Sequence, residues 1–119
     1  MIRAIRGATT AENTKESIIE STTELLEKML TANNLGIDQI ISMTFTATED
    51  LDAAYPAVAA REMGMTNVSL MCAQEMRVVG SLQNCIRVQV LAETNAAQRD
   101  VRHVYLKEAR LLRPDLINK

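Results

Sequence analysis

The stretch I-R-V-Q-V-L-A-E, residues 86–93, alternates between two kinds of side chain. Every second position, beginning with Ile86, is apolar, and the positions between them include Arg87, Gln89 and Glu93. Such alternation is typical of a β-strand that turns one face toward the core. The pattern predicts a strand here. It also predicts that Arg87 faces solvent, an interface or a ligand, because a charge is rarely buried without a partner.

Three stretches before this one are also predicted to be strands. Residues 2–9 form a short mixed run, residues 41–48 alternate apolar side chains with serine and threonine, and residues 68–72 place apolar side chains at every second position. After residues 86–93, the stretch 104–111 fits either a strand or a helix by its periodicity, and Pro114 ends that element. The chain is therefore expected to contribute about five strands to a sheet.

The clearest helix is predicted from about Asn13 to about Asn33. Asn13 stands three residues before Glu16, as in a capping box, and apolar residues then recur at helical spacing. Those apolar residues are Ile18, Ile19, Leu25, Leu26, Met29 and Leu30. The pair Tyr55-Pro56 predicts a second, short helix. The fold class that follows is α/β (α+β), one domain over residues 1–119, with a single mixed β-sheet packed on one long helix with short helical turns.

Composition excludes several classes of protein. The net charge is −2, with 13 lysine and arginine against 15 acidic residues, so the chain lacks the basic footprint of a nucleic-acid-binding domain. No apolar run approaches the ~18 residues of a membrane span, and the first ten residues lack the apolar stretch of a signal peptide. Cys72 and Cys85 match no metal or redox spacing. We therefore expect a cytoplasmic domain with free thiols, and neither nucleic acid nor membrane as a partner.

Several polar residues are candidates for chemistry, and each also has a simpler explanation. Arg87 offers a planar fork of donors that suits a carboxylate, but solvent is the commoner partner of a strand arginine. Glu75 lies just past a predicted strand, where functional loops occur, yet a solvated loop carboxylate is more frequent. His103 has no paired nucleophile, which favours a structural or surface role, and Tyr105 is more often a packing residue. Composition and spacing alone indicate a soluble α/β domain with a capacity to bind anions.

Five blocks of sequence carry a more specific signal, and they are I-R-A-I-R-G-A-T-T (2–10), C-A-Q-E-M (72–76), C-I-R-V (85–88), R-H-V-Y-L (102–106) and L-R-P-D-L (112–116). Together they resemble the monofunctional chorismate mutases of the α/β, Bacillus type, over nearly the whole chain. The resemblance implies a homotrimer that forms a pseudo-α/β-barrel, with active sites in clefts between subunits. It also implies an enzyme of phenylalanine and tyrosine biosynthesis that rearranges chorismate to prephenate without a cofactor or a metal.

The resemblance further implies roles for individual residues. Arg87 is expected to donate to the ether oxygen of the substrate, and Glu75, with Cys72 near it, to meet the ring hydroxyl. The other implied contacts are Arg6 and Tyr105 at a carboxylate, Tyr55 as an aromatic wall, Leu70 and Met71 as pocket lining, and Arg61, Leu112 and Arg113 closing the cleft, some of them from the neighbouring subunit. Val58 and Met71 depart from the family, in which a lysine and a threonine are familiar at these positions, so rim charge and pocket polarity differ.

Two other functions stay open on the sequence. A non-catalytic trimeric binder of a small carboxylate metabolite would share the expected fold, because one fold hosts many functions. Such a binder would need Arg87, but it has no obvious use for Glu75 facing an acidic ligand. An unrelated hydrolase is disfavoured, since the sequence shows no nucleophile paired with a base. The joint presence of Glu75 and Arg87 therefore favours the mutase.

Overall fold

A five-stranded sheet and one long helix form the body of the protein. The structure, a computed structural model, describes residues 1–116. The strands are β1 (Ile2–Thr10), β2 (Ile40–Ala47), β3 (Ser69–Gln74), β4 (Cys85–Glu93) and β5 (Val104–Tyr105). The α-helices are α1 (Lys15–Ala32) and α2 (Ala57–Glu62), and 3₁₀ turns occur at Ile37–Gln39, Gln98–Asp100, Lys107–Leu112 and Pro114–Leu116.

The sheet is mixed, with the strand order β3-β2-β4-β1-β5. β4 runs antiparallel to both of its neighbours, β1 and β2. β3 and β5 are added in parallel at the two edges. The predicted fold class, a single mixed sheet on one long helix with short helical turns, is confirmed. β4, the strand predicted from residues 86–93, is the central strand of the sheet. Arg87 is therefore held by backbone pairing on both sides.

One face of the sheet is covered by α1. Leu25 and Met29 of the helix are buried in the same cluster as Phe45 of β2 and Val88 of β4. Gly7 of β1 permits this approach, because a Cβ at that position would overlap the sulfur of Met29. Close-packed interiors do not tolerate such an overlap, so a larger residue would force the end of the Met29 side chain to move. This packing commits one face of the sheet to the core.

The start of α1 differs from the prediction by one residue. Thr14 is the N-cap: its backbone is extended, with φ −133°, and its hydroxyl accepts a hydrogen bond from the Ser17 N–H at 3.0 Å. Asn13 instead binds the loop after β2. Its amide donates to the Asp52 carboxylate at 2.8 Å, and its oxygen accepts from the Asp52 N–H at 3.0 Å. The predicted capping box of Asn13 and Glu16 is therefore wrong, because the loop offers Asn13 partners that compete with the helix.

A β-bulge near the start of β2 changes the predicted alternation. The pattern grouped Ile41 with Met43 and Phe45, but the register with β4 shifts between Ile40 and Ser42. The extra residue places Ile40 in the core and leaves Ile41 42% exposed. The rest of the strand follows the prediction, with Met43 and Phe45 buried.

The ambiguous region near the C-terminus contains both kinds of structure. β5 is a short edge strand, and Lys107–Leu112 form a 3₁₀ helix, which we call the C-terminal turn. β5 pairs in parallel with β1, so the end of the chain crosses beside its beginning. Residues 117–119 of the predicted domain lie outside the described part. Within residues 1–116, no helix has the length and apolar character needed to span a membrane.

Candidate active site

A row of side chains crosses the whole sheet on the face away from α1. Residues paired directly across strands share a face, and Thr46 pairs with Ala73 on one side and with Arg87 on the other. Ala8 continues the row, because it pairs with both Arg87 and Tyr105. Alternate residues of β4 point into the core, so this row points the opposite way. Strands that are distant in sequence thus bring a threonine, an arginine and a tyrosine onto one line.

Arg87 and Glu75 form an ion pair on this face. The Arg87 Nε lies 3.2 Å from the Glu75 Oε1, and the two side chains are only 34% and 23% exposed. Nε is buried and makes no aligned hydrogen bond to any of residues 1–116, so the contact is electrostatic. The Thr46 hydroxyl donates to the same Oε1 at 2.6 Å and fixes the carboxylate. The Glu75 N–H donates to the Ala47 carbonyl at 2.9 Å, which holds the start of the loop after β3 beside β2.

A cleft of about 420 Å³ opens over the ion pair, and its size suits a small metabolite. Its polar lining includes Arg6, Thr46, Glu75, Arg87, Gln89 and Tyr105. The phenol oxygen of Tyr105 is buried, and among the described residues it has no hydrogen-bond partner. Two guanidinium groups and a free phenol make this cleft a site for an anion that carries oxygen acceptors.

Five of the predicted site residues lie away from this cleft. Tyr55 and Cys72 line a separate cavity of about 520 Å³ at the ends of β2 and β3. Leu70 packs against the core, Met71 is 62% exposed, and Arg61 is exposed on α2. The charged groups that line the second cavity are carboxylates, so it is unsuited to an anion by itself. A single chain does not bring these five residues to the ion pair.

The two predicted residues near the C-terminus lie outside the lining of the cleft. Leu112 packs against the buried cluster that contains Ala8. Arg113 forms a two-pronged pair with Asp115, from Nε at 3.0 Å and from Nη2 at 2.9 Å. The hydrogen bonds that Arg113 donates to that carboxylate raise the pKa of Arg113, and Tyr105 lies close enough to act in the same direction. Arg113 therefore stays positively charged near the phenol of Tyr105, and its own side chain is about half exposed to solvent.

Cys85 and His103, which lie beside the row, make contacts that indicate structural roles. Burial raises the pKa of the Cys85 thiol, an effect that the nearby Arg87 charge opposes only in part, so the thiol stays neutral. The His103 Nδ1 accepts a hydrogen bond from the Arg6 N–H at 3.0 Å, which supports the structural role expected for it. Across the described part of the chain, no cluster of three or more histidine, cysteine or acidic residues is placed to hold a metal ion.

Thr46 is a candidate site residue that the sequence pattern did not single out. One signal for it was present, since the alternation in β2 places it opposite Phe45, on the face that the core does not use. The missing information was the path of the loop after β3. That loop brings Glu75 back beside β2, where the carboxylate meets Thr46. Gln89 lines the cleft for the same reason of strand alternation.

Comparisons with known proteins point to one family. The family model described as chorismate mutase type I matches residues 2–116. The chain is 47% identical over 118 residues to the chorismate mutase AroH of Bacillus subtilis (strain 168), covering 98% of this chain and 93% of that protein. It is 52% identical over 118 residues to the chorismate mutase AroH of Thermus thermophilus, covering 98% and 97%. A solved chorismate mutase from Clostridium thermocellum matches with a TM-score of 0.90 at 50% identity, covering 91% of this chain and 97% of that one.

Proposed function

The chain belongs to the family of type I chorismate mutases, and we propose that the cleft over Arg87 and Glu75 is where it rearranges chorismate to prephenate. The enzyme is an isomerase of aromatic amino-acid biosynthesis, and its reaction is an intramolecular Claisen rearrangement. One carbon–oxygen bond breaks while one carbon–carbon bond forms, and the electron pairs move within the substrate. The chemistry calls for neither a nucleophile nor a proton transfer, so the site has to supply shape and charge. The cytoplasmic location expected from the sequence stays a prediction.

The fixed guanidinium of Arg87 is the observation that carries the proposal. The ether oxygen of the substrate gains negative charge as its bond stretches, and a fixed cation there stabilises the transition state more than the ground state. Arg87 lies on the central strand, and its Nε is 3.2 Å from Glu75, so its orientation is set before a substrate arrives. Its low exposure strengthens the interaction, because less water screens the charge.

The other groups of the cleft suit the task of holding the substrate. Glu75 uses Oε1 for both Thr46 and Arg87, which leaves Oε2 for the ring hydroxyl. Arg6 and the phenol of Tyr105 line the cleft as donors for a carboxylate. Contacts at several points of a flexible substrate hold its compact reactive conformer and remove part of the ordering cost of the reaction. A plain anion binder has no comparable use for Glu75, so the ion pair favours catalysis over binding alone.

The absorbance of chorismate provides the direct test of this function. We expect purified protein to deplete chorismate and to form prephenate with a turnover on the order of 1–10³ s⁻¹, which is typical of enzymes. Prephenate is identified by its acid-catalysed conversion to phenylpyruvate. A folded sample that binds chorismate but leaves it at its spontaneous rate of decay would contradict the proposal and favour the non-catalytic binder.

We further propose that the protein is a homotrimer with its active sites between subunits. The predicted site residues fall into two groups within one chain, and a second copy is the simplest way to bring Tyr55 and Arg61 to a cleft that contains Arg87. The face that carries the row also leaves Ile2 59% and Met71 62% exposed. An oligomer would cover these apolar side chains. The expected mass in solution is three times the 13.2 kDa of one chain.

Mixing two impaired variants tests whether subunits share a site. Arg87→Ala removes a residue of the cleft. Arg61→Ala removes a residue of the other group, which lies away from the cleft within one chain. If the two variants are unfolded together and refolded, random assembly should leave both arginines intact in about one quarter of the sites, and activity should rise well above either parent. Arg87→Ala mixed with Glu75→Ala is the matched control and should give no gain, because both residues belong to one group. A fully active species of 13.2 kDa in sedimentation velocity would contradict the trimer.

A further inference from the structure

Lys107 has an unusual conformation at the junction between β5 and the C-terminal turn. Its backbone φ is +53°, in the left-handed region that costs a residue other than glycine free energy. Such a conformation persists only when the surroundings determine it, and it is found preferentially near functional sites. The residue as a whole is exposed, so burial of its side chain does not account for the conformation.

The ammonium group of Lys107 connects three elements. Its Nζ donates to the Ser21 hydroxyl on α1 at 3.0 Å and reaches the carbonyl of Thr10 at the end of β1 at 3.4 Å. Both contacts are partly buried, and both join positions more than 80 residues apart in sequence. Hydrogen bonds from a charged donor are stronger than neutral ones. The side chain therefore ties the C-terminal turn to the opposite end of the chain.

This tether lies two residues after Tyr105. β5 consists of only two residues, so few backbone hydrogen bonds hold it on β1. The Leu106 N–H adds one more, to the Ala8 carbonyl at 2.9 Å. The phenol of Tyr105 nevertheless has to stay buried in the cleft without a partner among the described residues. The ring of Tyr105 packs against the buried cluster of Ala8, Cys85 and Ala109, and an anchor on the segment that follows it would restrict its movement further.

We propose that Lys107 is a positioning residue for the rearrangement. It does not line the cleft, and it acts by holding the segment that carries Tyr105 against α1 and β1. The inference rests on the proposed function of the cleft, since it gives the phenol a task in binding the substrate. Loss of the tether lets β5 move, and the phenol then spends less time where the substrate carboxylate needs it.

Tyrosine fluorescence tests the positioning without any need for catalysis. The chain contains two tyrosines and no tryptophan, so Tyr55→Phe leaves Tyr105 as the only strong fluorophore. In that background, we expect Lys107→Met to raise the accessibility of Tyr105 to the quencher acrylamide. The matched control is Lys28→Met, the same change at an exposed lysine of α1, which should leave the quenching unchanged. Equal quenching in both variants would overturn the proposal.

Steady-state kinetics test the consequence for the reaction. We expect Lys107→Met to lower kcat/KM about tenfold, mainly through KM, because both hydrogen bonds of the charged ammonium are lost. Ser21→Ala removes one acceptor without changing Lys107 and should act in the same direction to a smaller extent. In a Tyr105→Phe background, the effect of Lys107→Met should shrink to about twofold or less, since coupled residues are not additive. Lys28→Met should leave kcat/KM unchanged.

The two tests separate failure of this inference from failure of the proposed function. A wild-type protein that does not consume chorismate would overturn the proposed function, while the quenching experiment would still decide whether Lys107 holds Tyr105. If the wild type is active, and Lys107→Met lowers kcat/KM tenfold both with Tyr105 and in the Tyr105→Phe background, the positioning role is overturned. Circular dichroism and thermal unfolding of each variant show that the comparison is made between folded proteins.

Discussion

Replacing Arg87 with alanine should lower the turnover of chorismate by about 10²–10³-fold, the cost of removing one fixed donor from comparable sites. The ether oxygen would then develop its negative charge without a cation beside it. Because Arg87 is only 34% exposed, water could not fully replace it. KM should change less than kcat, since the lost contact is strongest in the transition state. The measurement is the initial rate of chorismate loss, with circular dichroism to show that the variant is folded.

Two variants control this prediction. Arg77→Ala removes the same side chain from an exposed pair, in which Arg77 lies 3.5 Å from Glu49 and is 77% exposed, and it should leave turnover almost unchanged. Arg87→Lys keeps the charge but loses the planar fork, and it should recover only part of the activity. Near-normal turnover in a folded Arg87→Ala protein would remove Arg87 from its role.

Replacing Glu75 with alanine should lower kcat/KM by about 10–10²-fold, in line with the loss of hydrogen bonds to a charged group. The variant loses the acceptor for the ring hydroxyl, and it also frees the Arg87 guanidinium from the contact that orients it. Both kcat and KM should therefore worsen. Glu75→Gln keeps the shape and an acceptor oxygen but removes the charge, so it should be impaired less than Glu75→Ala.

Thr46 gives a graded version of the same experiment. Thr46→Val keeps the size of the side chain but removes the hydroxyl that donates to Glu75 at 2.6 Å, and it should lower kcat/KM about three- to tenfold. Glu49→Ala is the matched control for Glu75→Ala, because the carboxylate of Glu49 pairs with an exposed arginine. Glu49→Ala should leave kcat/KM unchanged. If Glu75→Ala and Glu49→Ala had equal kinetics, the carboxylate of Glu75 would have no part in the reaction.

The sequence predicted those features that depend on local pattern. The alternation over residues 86–93 was sufficient to predict β4 and to place Arg87 on the face opposite Val88. The helical spacing of Leu25 and Met29 likewise predicted α1. Each of these signals arises from the geometry of one element, in which side-chain direction repeats every two or every 3.6 residues.

Features that depend on contacts between elements were not accessible in the same way. The bulge that exposes Ile41 is set by register with β4, and the N-cap was shifted to Thr14 because a distant loop takes up Asn13. The placement of Glu75 against Thr46 requires the loop after β3 to return to β2. The separation of the predicted site residues into two groups was also not predictable from local pattern, because we propose that a second copy of the chain brings the two groups together.

The position of β1 between β4 and β5 has a consequence for how the protein is made. β1 finds both of its neighbours among segments that leave the ribosome long after β1 itself. Until residue 105 has emerged, the nascent chain holds an incomplete sheet with an exposed strand edge, which is the state most open to wrong association. Pairings between residues this distant in sequence also form slowly. Enzymatic competence should therefore be the last property that the polypeptide acquires, both during biosynthesis and during renaturation.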